Sequence, residues 1–462
     1  GDDMEDIKSL REKQKAFFNT GQTKDPAFRI AQLKRLRKAL VAYEDRIIDA
    51  LMKDFRKPPF ETITTEIGVT VEEIDYIVKH LKKWTKQKKV PTPILHMFSK
   101  SRLYPEPYGV SLVVGTWNYP VQLVIAPVVG SMAGGNCTII KPSFSAAATA
   151  DVLYDMIKEY FSPEYLAVVK KTPGVYDQVL SEQFDYIFFT GSIGVGKSIM
   201  EAASKHLTPV TLELGGKSPC VVDENVHMKT TARRILWGKF LNAGQTCIAP
   251  DYLLVHKNIK DELMTALENE LKAFYGSDPS KSADYCRIVN QRQFDKLVEM
   301  LGDPENVAIG GEYNREDLYF APTVLHNVNR EHPSMKGEIF GPILPVLTYE
   351  TLDEAIDMVK NHTKPLALYV FTRNKKTWKR IINETSFGGG CVNETLSHIV
   401  SPHLPFGGVG HSGMGRYHGK SSFDTFTNYK SVLKKPWFPD LFLRYPPYKK
   451  YRFGLLKKYF RI

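Results

Sequence analysis

A chain of 462 residues with a net charge of +11 has room for two or three domains and a large core. Its ordinary globular composition excludes disordered, collagenous and low-complexity classes. The five cysteines at 137, 220, 247, 286 and 391 form no CxxC pair and no His-associated spacing. That argues against a zinc site or disulfide scaffold, and for reduced thiols in a cytoplasm-like compartment.

In chain order, the start Gly-Asp-Asp-Met-Glu-Asp is acidic and does not read as a secretory signal. Residues 5–82 carry apolar positions at helical spacing among Lys and Glu. Prolines at 91, 93, 105 and 107 mark 90–108 as an extended arm or hairpin. Strands at 111–115, 137–141, 167–170, 186–189 and 210–213 then alternate with helices at 121–133, 145–160 and 195–206. This rhythm predicts an α/β fold with a doubly wound, Rossmann-like parallel sheet. The most apolar stretch, 121–135, holds Gln122 and Pro127 and is too short to cross a bilayer.

A second alternating block follows. Its strands fall at 220–223, 252–256, 323–328, 343–348 and 366–372, with helices near 227–241, 258–275, 352–361 and 375–385. The expected division is a dinucleotide-binding domain at 5–85 and 109–211 and a catalytic domain at 212–395. Bridging or oligomerisation elements are expected at 86–108 and 396–433, with a tail at 434–462. Two α/β blocks meeting near Cys247 would place that thiol in a cleft. The tail carries nine Lys/Arg against one acid, Asp440, so it holds +8 of the net +11 and the body is near neutral.

Cys247 closes the run Phe240-Leu-Asn-Ala-Gly-Gln-Thr-Cys247, 34 residues after Glu213, which ends the strand-like Pro209-Val-Thr-Leu-Glu213. A thiol after a Gly-Gln turn and a carboxylate at a partly dry sheet edge suggest a nucleophile and its base, since burial raises a carboxyl pKa. The bland alternative is a small buried hydrophobe and a strand-end acid. Residues 191–198, GSIGVGKS, match the GxxxxGK[ST] phosphate loop after a strand and before a helix. Cys220-Val-Val-Asp223 can pose as its partner strand, so a P-loop NTPase competes. The usual GxGxxG fingerprint is absent after 111–115, where Gly115-Thr-Trp-Asn-Tyr-Pro120 stands.

Seven motifs in register carry a resemblance. TWNYP at 116–120, KPS at 141–143, FTGS at 189–192, LELGGKSP at 212–219, GQTC at 244–247, EIFGP at 338–342 and PFGGVGHSGMGRYHGKSSFDTFTNYKS at 405–431 occur in the order found in the aldehyde dehydrogenase superfamily. The motifs run from 116 to 431, within a resemblance that covers roughly residues 30 to 435. The wording GQTCIAPDY and MGRYHGKSSFDTF resembles the class 3 branch, which handles aromatic and medium- to long-chain fatty aldehydes.

The resemblance implies NAD- or NADP-dependent oxidation of aldehydes through a thiohemiacetal and a thioester on Cys247, with Glu213 activating water. Asn118 would donate to the oxyanion together with the Cys247 N–H, its alternative being a turn cap. Trp117, Lys141, Ser143, Gly191, Ser192, Gly196, Glu338 and Phe340 are the expected cofactor contacts, and no metal is expected. The 191–196 turn would then set a helix N-terminus against the dinucleotide, leaving Lys197-Ser198 as coincidence. Phe144 stands where the family commonly has a ribose-binding glutamate, so NADP should be tolerated.

The resemblance also implies a cytoplasmic homodimer, with the 86–108 arm and a strand near 423–433 pairing across subunits. The tail mixes its cations with nine aromatic residues. It suits the closing of an aldehyde funnel, peripheral membrane contact, or simple packing on the body. A nucleic-acid partner is not expected, for no RNA-binding motif accompanies it. A non-enzymatic basic adaptor is the remaining alternative.

Overall fold

The computed structural model describes residues 6–462. The acidic positions at 2, 3 and 5, and with them the first residue of the expected first domain, lie outside the described residues. The chain divides into two compact units, one of residues 1–84 and 107–427, the other of 85–106 and 428–462.

The larger unit holds two sheets. The first has strand order Gly413–Met414, Val210–Glu213, Tyr186–Thr190, Val110–Val114, Cys137–Lys141 and Leu166–Val168. All its neighbours are parallel except Gly413–Met414, which runs antiparallel to Val210–Glu213. Val110–Val114, Leu166–Val168 and Tyr186–Thr190 are buried at every position, as strands covered on both faces must be. The helix Gln122–Gly134 is wholly buried. Gly115 lets it close on its strand, since a Cβ there would lie 2.1 Å from Val124 Cγ2. The second sheet has seven strands and places Pro219–Val222, Tyr252–His256 and Ile343–Tyr349 side by side in parallel.

Several boundaries move for local reasons. The strand expected at 323–328 stops at Leu325, and Asn327 turns the chain with φ 52°. Residues near 423 are helical over Lys420–Thr425, where Lys420 pairs with Asp424 one turn on, and the strand begins at Thr427. A helix at Gln291–Leu301 was not anticipated.

Glu213 is not at a partly dry edge. The short strand Gly413–Met414 covers that side, with Gly413 opposite Glu213, and the carboxyl lies in the interior. The phosphate-loop reading fails on chain length. Strand Tyr186–Thr190 and helix Ile193–Ser204 are separated by Gly191 and Ser192 alone. Lys197 and Ser198 are exposed helical residues in the second turn, so no glycine loop remains to wrap a triphosphate.

In the smaller unit, Lys88–Val90, Lys100–Pro107 and Thr427–Lys434 form a three-stranded sheet in that order. The tail continues to the helix Lys450–Phe460. Arg452 anchors the tail to itself by donating to the carbonyls of Phe442, Tyr445 and Pro447 at 3.4, 3.0 and 3.4 Å.

Candidate active site

Helix Met228–Phe240 ends in the tight turn Leu241–Gly244, where Asn242, Ala243 and Gly244 have φ of 54°, 52° and 74°. A left-handed alanine costs about 1–2 kcal/mol, so the turn must be held from outside. Asn242 Nδ2 donates to Asn118 O at 2.9 Å and to Gln245 O at 3.0 Å. Buried Gln245 donates to Asn242 O at 3.0 Å and Arg287 O at 3.1 Å, and accepts from Val289 N at 3.1 Å. Gly244 is required, because a Cβ would meet Gly341 O at 2.3 Å. The sequence signal for this clamp was present in Asn242 and Gln245, but only the fold shows their partners.

The turn delivers Cys247, half-buried, to a cavity of about 220 Å³. Trp117, Asn118, Gly191, Ser192, Glu213, Glu338 and Phe340 line the same cavity, so eight of the residues singled out by sequence converge there. Burial, then the neighbouring Glu338 and Glu213 carboxyls, pushes the Cys247 thiol up to about 12. Burial also holds the Glu213 carboxyl well above the usual range, opposed by the Arg416 guanidinium. Arg416 is itself fixed by donating to Gly388 O at 2.9 Å and to Gly407 O.

The remaining wall suits a polar ligand. Both Glu213 oxygens, Asn118 Oδ1 and Thr190 Oγ1 are buried without a hydrogen-bond partner among the described residues. Gly215 admits the Glu338 carboxyl to the wall, since a Cβ would lie 2.1 Å from Glu338 Oε2. Burial raises Glu338 to about 8. Phe340 meets the Trp117 ring edge-on at 5.3 Å. Lys217, given no role from sequence, ties two walls together: its Nζ pairs with Asp251 and donates to Ser334 O at 2.7 Å and Gly337 O at 3.1 Å. Asp251 in turn accepts from Ile339 N at 3.0 Å.

Three expected contacts lie elsewhere. Gly196 does not line this cavity but packs its helix on Leu214, where a Cβ would come within 2.6 Å of Cδ2. Lys141 and Ser143 sit at the end of strand Cys137–Lys141, outside the lining. There the Lys141 ammonium lies 5.0 Å from the Phe144 ring and 5.6 Å from that of Tyr176. Gln293, Lys296 and Met300 of the unanticipated helix also line the cavity. Among the described residues, no group of three or more His, Cys, Asp or Glu is placed to hold a metal ion.

The profile of the aldehyde dehydrogenase family matches residues 2–432. The chain is 48% identical over 448 residues to 4,4'-diaponeurosporen-aldehyde dehydrogenase of Staphylococcus aureus, covering 97% of each chain. It is 43% identical to the dimeric NADP-preferring aldehyde dehydrogenase of Mus musculus, covering 93% of this chain and 95% of that one. The substrate-bound structure of Staphylococcus aureus AldH superposes with a TM-score of 0.96 at 47% identity, covering 99% of this chain and 100% of the other.

Proposed function

Since the chain belongs to the aldehyde dehydrogenase family and is therefore an oxidoreductase that oxidises aldehydes with NAD or NADP, we propose that Cys247 is its nucleophile and Glu213 its deacylating base. The observation that carries this reading is the convergence of Cys247, Glu213 and Asn118 on one cavity, with both Glu213 oxygens unpartnered there. The Cys247 thiolate adds to the aldehyde carbon, and the oxygen of the thiohemiacetal takes hydrogen bonds from Asn118 Nδ2 and the Cys247 N–H. Bound NAD or NADP supplies the hydride acceptor. Glu213 then takes a proton from water, which attacks the thioester carbonyl and releases Cys247 and the acid. Trp117, Gly191, Ser192, Glu338 and Phe340 would hold the nicotinamide half, and Lys141 and Ser143 the adenosine ribose. A nicotinamide absorbance assay over a panel of aldehydes, run beside the alanine variant of Cys247, tests the assignment.

Phe144 sets the cofactor choice in this reading. Lys141 is desolvated beneath two aromatic rings and no carboxylate competes for it at position 144. A 2′-phosphate therefore meets a cation without repulsion. NADP is expected to bind within about tenfold of NAD, roughly 1.4 kcal/mol. Phe144→Glu should weaken NADP selectively in a fluorescence titration, with NAD affinity held or improved. Strict NAD specificity in the parent enzyme would assign the ribose to another group.

The substrates are medium- or long-chain aldehydes reached at a membrane surface. In helix Lys450–Phe460, Tyr451, Phe453, Leu455, Leu456, Tyr459 and Phe460 are all exposed. At 100° per residue they occupy an arc of about 200°, in which Arg452 is turned to the carbonyls of the tail, and Lys450, Lys457 and Lys458 fill the other side. Such a helix lies in an anionic interface. No helix among the described residues is long and apolar enough to cross a membrane. Truncation after Lys435 leaves Thr427–Lys434 intact. It should abolish salt-sensitive co-sedimentation with phosphatidylserine vesicles and raise KM for long aldehydes more than for short ones. Undiminished vesicle binding would remove the tail from this role.

The protein is also proposed to be a homodimer. Ile94, Met97 and Phe98 of the arm and Val432 and Leu433 of the neighbouring strand are exposed apolar side chains. A mass by light scattering of one 52.5 kDa chain would rule the dimer out.

A further inference from the structure

Lys57, Glu66, Tyr119 and Asn242 meet beside Asn118, outside the cavity lining. Lys57 and Glu66 are wholly buried and form an ion pair at 3.3 Å. The Lys57 ammonium also donates to the carbonyl of Asn118 at 3.3 Å. That carbonyl takes a second hydrogen bond, at 2.9 Å, from Asn242 Nδ2 of the left-handed turn that precedes Cys247. One peptide oxygen therefore joins the loop that carries Asn118 to the loop that carries the nucleophile.

Further bonds surround this junction. Lys57 Nζ lies 4.2 Å from the centre of the Tyr119 ring, and the Tyr119 hydroxyl bonds Thr246 Oγ1 at 2.7 Å, one residue before Cys247. Glu66 Oε1 accepts from the N–H groups of Val121 and Gln122 at 3.1 and 3.0 Å, fixing the start of the buried helix that follows Asn118. Glu61 Oε1 accepts from Asn242 N at 2.8 Å. Glu66 lies in the π-helical turn Ile63–Gly68, which widens the helix and turns its carboxyl inward.

A buried ion pair is weak evidence of stabilisation, since desolvation offsets its attraction. Its value here is geometric. The Asn118 carboxamide makes no hydrogen bond through Oδ1, so its direction is set by the backbone that carries it. That backbone is held by Lys57 on one side and Asn242 on the other. We propose that the buried Lys57–Glu66 pair is a positioning element for aldehyde oxidation: by holding the Asn118 carbonyl against Asn242, it sets the distance between the oxyanion donor and Cys247. This rests on the assignment of Asn118 as that donor. Neither Lys57 nor Glu66 lines the cavity.

The test is a charge-neutral double variant, Lys57→Met with Glu66→Gln. It removes the donor to Asn118 and leaves a side-chain amide to accept from Val121 and Gln122, while Glu61, whose ionisation Lys57 also favours, keeps its hydrogen bond from Asn242 N. Cofactor affinity by fluorescence titration should change less than about twofold, while kcat falls by about 10- to 100-fold, the loss expected when a reacting group is misplaced by a fraction of an ångström to an ångström. The primary isotope effect on kcat/KM with 1-deuterated aldehyde should fall towards unity, because addition of Cys247, which breaks no C1–H bond, becomes limiting ahead of hydride transfer. A folded double variant with kcat/KM within about twofold of the parent, and no change in isotope effect, overturns the proposal.

If the double variant does not fold, Glu66→Gln decides. It keeps an oxygen to accept from Val121 and Gln122 and removes only the charge that pairs with Lys57, so the same kcat loss in milder form is expected, with unchanged turnover overturning the role. Asn118→Ala separates the two claims. If it leaves kcat/KM unchanged, the oxyanion assignment and the positioning role fall together. If it is impaired while the double variant is not, the positioning role alone falls.

Discussion

Cys247→Ala is expected to abolish aldehyde-dependent reduction of NAD or NADP while cofactor affinity stays at the parent value. The nucleophile is the one group whose loss removes the covalent route altogether, so the fall in kcat should be on the order of 10⁴-fold or more. No other thiol can replace it. Cys137, Cys220 and Cys286 are buried, and burial raises each of their thiols. Cys391 is held 3.5 Å from His398 Nδ1, away from the cavity lining. Cofactor titration of the variant and intact-mass measurement of the parent during turnover check both halves. Near-normal turnover in Cys247→Ala, or an acyl adduct on another cysteine, overturns the mechanism. The thiol is pushed up to about 12, so its thiolate fraction in the free enzyme is small at neutral pH and grows as pH rises. Alkylation of Cys247 by iodoacetamide should accelerate with pH across the neutral range, and a flat profile would contradict that shift.

Much of this was legible in the sequence because it is local. The strand and helix alternation follows from runs such as Val110–Val114, apolar at nearly every position and buried on both faces. Motif residues that face the cavity, such as Trp117, Asn118 and Phe340, were legible because short turns carry them there. What sequence reading missed is tertiary. Lys57 and Glu66 look like solvated helix charges beside Arg56 and Thr65, and nothing local says that both are wholly buried. Asp251 and Lys217 sit 34 residues apart, and their pairing exists only once two strands lie side by side. The phosphate-loop match erred in the opposite direction. Its letters were right, but Ser192 caps the helix by accepting from Val195 N at 3.4 Å, so Gly194 and Gly196 fall inside the helix rather than in a loop.

Glu213→Gln should separate the two halves of the reaction. The amide keeps the size of the side chain but cannot take a proton from water, so acylation of Cys247 proceeds and hydrolysis stalls. A single burst of reduced cofactor, close to one per active site, should be followed by turnover slowed about 10²- to 10⁴-fold, the range for loss of a positioned general base. The acyl-enzyme should then build up on Cys247 to a higher level by mass than in the parent at steady state. The pH behaviour sharpens the test. Burial raises the Glu213 carboxyl and Arg416 only partly offsets it, so the base is protonated over more of the acid range than an exposed glutamate is. Hydrolysis of the thioester in the parent should therefore rise with pH as this carboxyl ionises, and that rise should be missing in the amide variant. Arg416→Gln should move it to higher pH, because the charge that favours ionisation is gone. Normal thioester hydrolysis in Glu213→Gln by rapid quench would assign the base elsewhere. The structure offers Glu338 as the other carboxyl lining the cavity, raised to about 8 and able to take the same proton only if it reaches the acyl carbon.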